Sequence, residues 1–185
     1  MRFVRQHANV PVPKKLDISD QLQKALTSLR KIPHPGYFGS LGKTMLQDGI
    51  FWTQEPSAAM NGPFSTEDEL IDGMTKRYIH DCGERVVNQA EYYRRVIPKV
   101  LRGNDESVFT HNDLQLKNIS LRPDGTVFIV DWAASGWCPL YWEYATTIRG
   151  CGHFTNDWHA YISRFLGEYP NEYSWMKALR LEMWG

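Results

Sequence analysis

Cysteine is scarce in this sequence. Three occur, Cys82, Cys138 and Cys151, odd in number and widely spaced, which argues against a disulfide framework and for reduced thiols inside a cell. Long apolar runs are missing too. No stretch approaches bilayer-spanning length, and the opening Met1-Arg2-Phe3-Val4-Arg5-Gln6-His7 lacks the apolar core of a secretory signal. A cytoplasmic location without membrane attachment is therefore expected. Nor is there a surplus of one charge: 21 Lys and Arg residues balance 21 Asp and Glu. Nothing steers the whole molecule toward nucleic acid or anionic lipid. Repeats and low-complexity tracts are absent as well.

What is present is the material of a globular core. Hydrophobic residues make up 42% of the 185, aromatics 13%, enough for one sizeable domain. Prolines at 11 and 13 enforce an extended path after residues 2–7, which suit the last turns of a helix. A helix is expected from Ser19 as N-cap, with Leu22, Leu26 and Leu29 on one face, stopping near Ile32 before Pro33 and Pro35-Gly36. Residues 36–63 are rich in turn formers and read as an ordered surface loop. Ser65, followed by Thr66-Glu67-Asp68-Glu69, opens a second helix with acids in its first turn. A third spans roughly 84–101, where Pro98 should kink or split it.

After residue 107 the periodicity changes. Val108-Phe109-Thr110 reads as a short strand, and residues 119–121 and 126–130 as a hairpin closed by Pro123-Asp124-Gly125. Helical segments follow near 141–149, 157–167 and 172–183. The sum is an α+β domain dominated by helix, carrying one small β-hairpin.

The chemistry is concentrated at that hairpin. His111-Asn112-Asp113 is followed by Asn118, five residues beyond the Asp, and the returning strand ends in Ile129-Val130-Asp131-Trp132. Phosphoryl transfer needs one carboxylate near the acceptor hydroxyl and separate oxygen ligands for Mg²⁺ on the phosphates. Asp113 and Asn118 share a loop, and the hairpin leads the chain out from Asn118 and back to Asp131. Composition alone yields the His-x-Asp-x4-Asn string in roughly one chain in a hundred of this length. A following strand that ends in Asp after a Pro-Asp-Gly turn lowers that by about tenfold. The plain alternative makes Asp113 and Asn118 loop caps and Asp131 a strand-end turn former. His111 suits a general base or a buried hydrogen-bonding post, and its place one residue before the loop turn favours the post.

These residues resemble the catalytic motif of the aminoglycoside phosphotransferases and their choline-kinase and homoserine-kinase relatives, members of the protein-kinase-like fold. The resemblance runs through Phe109-Thr110-His111-Asn112-Asp113-Leu114, Ile129-Val130-Asp131-Trp132 and Pro139-Leu140-Tyr141-Trp142-Glu143-Tyr144. A large fungal branch is especially similar, sharing Arg2-Phe3-Val4-Arg5, Pro11-Val12-Pro13, Gly39-Ser40-Leu41-Gly42 and Gly62-Pro63-Phe64. The resemblance implies that Asp113 positions or deprotonates the acceptor hydroxyl, that Asn118 and Asp131 bind Mg²⁺, and that His111 braces the loop. ATP would be the phosphoryl donor and a small polar molecule the acceptor. Gln115, two residues after Asp113, and Trp132, directly after Asp131, depart from protein kinases and point to small acceptors.

The resemblance also implies parts that are not found. No phosphate-covering loop, strand lysine or partner glutamate of an N-terminal lobe is identifiable. Residues 1–15 read as the remnant of that lobe and 16–185 as the catalytic, C-terminal lobe. Gly36-x-x-Gly39-x-x-Gly42-Lys43-Thr44 does not replace the missing loop: a P-loop needs Gly where Tyr37 stands, and a preceding buried strand. A non-catalytic kinase-like lobe acting as a binding module is the alternative reading. Metal-dependent hydrolysis at His111, Asp113 and Asp131 is a third. Cys151, His153 and His159 match no common zinc spacing. Glu143 is the best candidate for acceptor recognition, against a helix-surface or packing role. No residue pattern fixes the oligomeric state.

Overall fold

The computed structural model describes residues 15–184 apart from 102. The expected extended segment at 10–13 and the helical turns at 2–7 lie outside the described residues. Helix α1 (Lys15–Leu29) buries Ile18, Leu22 and Leu26, the stripe that its period predicts. It begins before Ser19, which is buried inside the helix and does not cap it.

A short strand β1 (Gly39–Ser40) and a four-residue helix α2 (Ala58–Asn61) lie within the stretch expected to be a surface loop. That expectation needs correction. Phe38, Leu46, Ile50 and Phe51 are fully buried, so the segment's apolar residues form core although its turn formers hide any period. Helix α3 (Glu67–Cys82) is capped by Thr66, whose hydroxyl accepts from the Glu69 amide at 3.1 Å, while the Glu69 carboxylate accepts from the Ser65 amide at 2.7 Å. The start falls one residue later than expected. Helix α4 (Val87–Val100) runs through Pro98 without splitting. Pro98 sits in the last turn, where only one intrahelical bond is lost.

The strands are β2 (Ser107–Thr110), β3 (Ile119–Leu121), β4 (Val127–Ile129) and β5 (Gly136–Pro139). Strands β3 and β4 form the expected hairpin. Strand β5 was not expected, and it is central in the antiparallel order β1-β5-β2. All four of its residues are buried, so no alternation betrays it, and its ends are Gly and Pro, both poor strand formers. Gly136 is required there: a Cβ would lie 2.8 Å from the backbone oxygen of Gly39. Gly136→Ala should destabilise the protein by about 1–3 kcal/mol, the usual cost of overpacking, read as a shift in the urea midpoint. An unchanged midpoint would refute the close β1–β5 approach.

Helices α5 (Trp142–Gly150), α6 (His159–Ile162) and α7 (Pro170–Trp184) follow. The middle one is far shorter than the segment expected at 157–167. Among the described residues two apolar clusters result. The larger gathers Phe51, Phe64, Leu70, Met74, Ile97, Trp142 and Leu179; the smaller joins Leu22 and Leu26 of α1 to Leu114, Trp158 and Ile162. No helix among the described residues is long and apolar enough to cross a membrane.

Candidate active site

The loop after β2 is anchored from several sides. Its turn residue Asn112 has φ 66°, a left-handed conformation that Asn tolerates better than most side chains. The amides of His111 and Asn112 both donate to the carboxylate of Glu143, at 2.6 and 2.9 Å. Glu143 is completely buried on α5. Neither a helix-surface position nor contact with an acceptor agrees with that burial: it is a brace for the loop. Burial pushes its carboxyl up, and the Arg30 charge and the His111 and Asn112 amides offset part of that. Arg30, just beyond α1, in turn donates to the Phe109 carbonyl at 2.9 Å. Glu143→Gln leaves one loop amide facing an NH₂ group, so a loss of about 1–3 kcal/mol is expected, measurable by thermal melting. Stability equal to wild type would contradict the brace.

His111 is fully buried. Its Nε2 lies 2.9 Å from the Val130 carbonyl, and its Nδ1 accepts from the Asp113 amide at 3.2 Å. In that arrangement Nε2 faces a backbone acceptor and Nδ1 a backbone donor, so both ring nitrogens are engaged. The Trp132 ring meets it edge-on at 4.7 Å. The ring therefore ties the loop to the strand end that carries Asp131.

Asp113 is half-buried. One carboxylate oxygen accepts from the Gln115 amide group; the other accepts from Asn118 Nδ2 at 2.8 Å and faces Lys117 Nζ at 3.4 Å. Desolvation pushes this carboxyl up, but the Gln115 and Asn118 hydrogen bonds and the Lys117 charge outweigh it and hold the group below the ordinary carboxylate range. Asn118 is buried, and its Nδ2 also donates to the Asp113 carbonyl at 2.8 Å. Its backbone carbonyl accepts from the Val130 amide at 2.9 Å, which closes the hairpin beside the loop. Helix α1 clamps the far end: Gln21 donates to the Gly125 carbonyl and accepts from the Val127 amide, at 3.1 and 2.9 Å.

Asp131 follows that strand end in a left-handed conformation, φ 63° and ψ 65°. It is exposed, and its side chain does not cap the turn that it precedes. Asp113 and Asp131 line one cleft of about 270 Å³ with Asn112, Asp48, Gln47 and Arg149. Asn118 is bonded to Asp113 but lies outside the lining of that cleft. No cluster of three His, Cys, Asp or Glu able to hold a metal occurs among the described residues. The Asp113 and Asp131 carboxylates that line the cleft are hard oxygen donors of the kind that suit Mg²⁺. Cys151, His153 and His159 form no such cluster either.

Sequence reasoning missed the floor of the cleft. Asp48 is buried and accepts from Arg180 at 2.8 and 2.9 Å, from the Ile50 amide at 2.9 Å and from the Trp142 indole at 3.1 Å. Arg180 lies 132 residues from Asp48 in the chain, and no local pattern links the two.

A loop carrying an Asp–Asn pair, with a hairpin returning a second Asp to the same cleft, resembles a kinase-type arrangement, on an α+β body that is about half helical. The model of the phosphotransferase enzyme family matches residues 16–179, and the chain belongs to that family. This upholds the resemblance to aminoglycoside phosphotransferases; the family implies a protein-kinase-like fold and kinase-type phosphotransfer. Comparison with curated proteins and with solved structures gave no match.

Proposed function

We propose that the protein transfers the γ-phosphoryl group of ATP, with Mg²⁺, to a hydroxyl of a small polar molecule. The observation that carries this is the cleft shared by Asp113 and Asp131, with Asn118 hydrogen-bonded to the first and its backbone joined to the strand that ends at the second. Asp113 stays ionised at neutral pH because its carboxyl is held low. It therefore acts chiefly by accepting the acceptor's hydroxyl hydrogen bond and orienting the oxygen. Asn118 and Asp131 would hold the metal ion, which neutralises charge on the phosphates when bound. His111 and Glu143 fix the loop from behind, and Lys117 and Gln115 keep the Asp113 carboxylate pointed.

A thermal-shift titration tests this reading. Millimolar ATP should raise the melting temperature only when Mg²⁺ is present, as a ligand that binds the folded state must. No Mg²⁺-dependent rise would favour a non-catalytic lobe.

A further inference from the structure

Beside the catalytic cleft lies a second cavity of about 380 Å³ between α5 and α7, within the size range of small-ligand sites. Arg149 lines both cavities, so the two adjoin at its side chain. The second cavity is lined by three basic residues, Arg149, Lys177 and Arg180, and by no acidic one. Arg180 is committed to Asp48. Arg149 and Lys177 make no ion pair among the described residues.

We infer that the phosphoryl acceptor carries an anionic group, which Arg149 and Lys177 hold in this cavity while the acceptor's hydroxyl reaches toward Asp113. The inference rests on the phosphotransferase reading and names its substrate class. Arg149 is exposed overall, yet partial loss of hydration and then the Arg180 charge lower its pKa, against the attraction of Asp48 and Asp113. An anion on the cavity side relieves that repulsion. The rest of the lining is apolar apart from the Tyr173 hydroxyl. Tyr173 and Met176 stand on one wall, and Phe154 and Leu181 are 49% and 59% exposed at the rim, so the body between anion and hydroxyl is hydrocarbon, aliphatic or aromatic. In the reaction the acceptor oxygen bonds to the γ-phosphorus, the bond from that phosphorus to the bridging oxygen breaks, and nucleoside diphosphate leaves. The hydroxyl proton passes to Asp113 or to water.

Two compounds with the same ring and hydroxyl but opposite charge provide the test: 3-(4-hydroxyphenyl)propanoate and tyramine. Each is titrated into the full chain by calorimetry without nucleotide, in wild type, Arg149→Gln and Lys177→Gln. Lys177 is exposed, so its replacement leaves folding intact, and thermal melts check both variants. The acid should bind and tyramine should not, and each substitution should weaken the acid by about tenfold, the scale of one charge-assisted contact. Tighter or equal binding of tyramine, failure of the acid to bind at millimolar concentration, or an affinity that either substitution leaves unchanged would overturn the inference. A parallel assay with ATP and Mg²⁺ separates the two claims. Transfer to tyramine and not to the acid removes the anion site and keeps the phosphotransferase. Arginine- and lysine-dependent binding of the acid without any transfer to it removes the acceptor role and leaves an anion site.

Discussion

Asp113→Asn should lower ATP-dependent turnover by about 10²-fold or more, the scale at which a positioned acid–base group contributes, while the protein still folds. The side chain is half-buried at the end of a loop braced by Glu143 and His111 rather than by its own carboxylate. An Asn there keeps the shape but loses the charge that accepts from Gln115, Asn118 and Lys117. Steady-state kinetics beside a thermal melt separates the two effects. Full turnover in the variant would exclude Asp113 as the residue that orients the acceptor.

The largest stability effect is expected at Asp48, which belongs to no recognisable sequence motif. Asp48→Ala strands Arg180 and the Trp142 indole without their partner, and breaking one side of a buried ion pair costs about 3–5 kcal/mol. The cost depends on pH. Burial pushes the Asp48 carboxyl up, but the Arg180 charge and the Ile50 amide outweigh it and set the carboxyl below its ordinary value. A carboxylate depressed in the folded state stabilises fully above its unfolded pKa of about 3.9, and that contribution is lost as pH falls through the folded value. Denaturant midpoints of wild type and variant should therefore lie far apart at neutral pH and converge as pH drops below about 4. A gap that stays constant into acid would mean that the ion pair is not the source of the stability.

The arrangement of the cleft was legible where neighbours in sequence are neighbours in space. Asp113 and Asn118 share one loop, and the hairpin that returns Asp131 announces itself by a Pro-Asp-Gly turn between two apolar runs. Helices α1, α3 and α4 were readable from their periodicity, with ends misplaced by a few residues because caps compete locally. Strand β5 was not readable, since burial on both faces erases alternation and its Gly and Pro argue against a strand. The buried aromatics of residues 38–51 were hidden among turn formers. Glu143 carries no signal of its brace in sequence, because its partners are backbone amides of residues 31 and 32 positions away. The Asp48–Arg180 pair and the basic cavity depend on helix α7 folding back across the molecule, a contact that no short-range pattern encodes.

Asn118 and Asp131 are proposed to hold one divalent ion next to Asp113. Paramagnetic broadening by Mn²⁺ in the presence of ADP, read on assigned backbone amides, tests it most directly. The strongest loss of signal is expected at residues 113, 118 and 130–132, abolished by Asp131→Ala. Broadening centred elsewhere, or unaffected by that substitution, would contradict it.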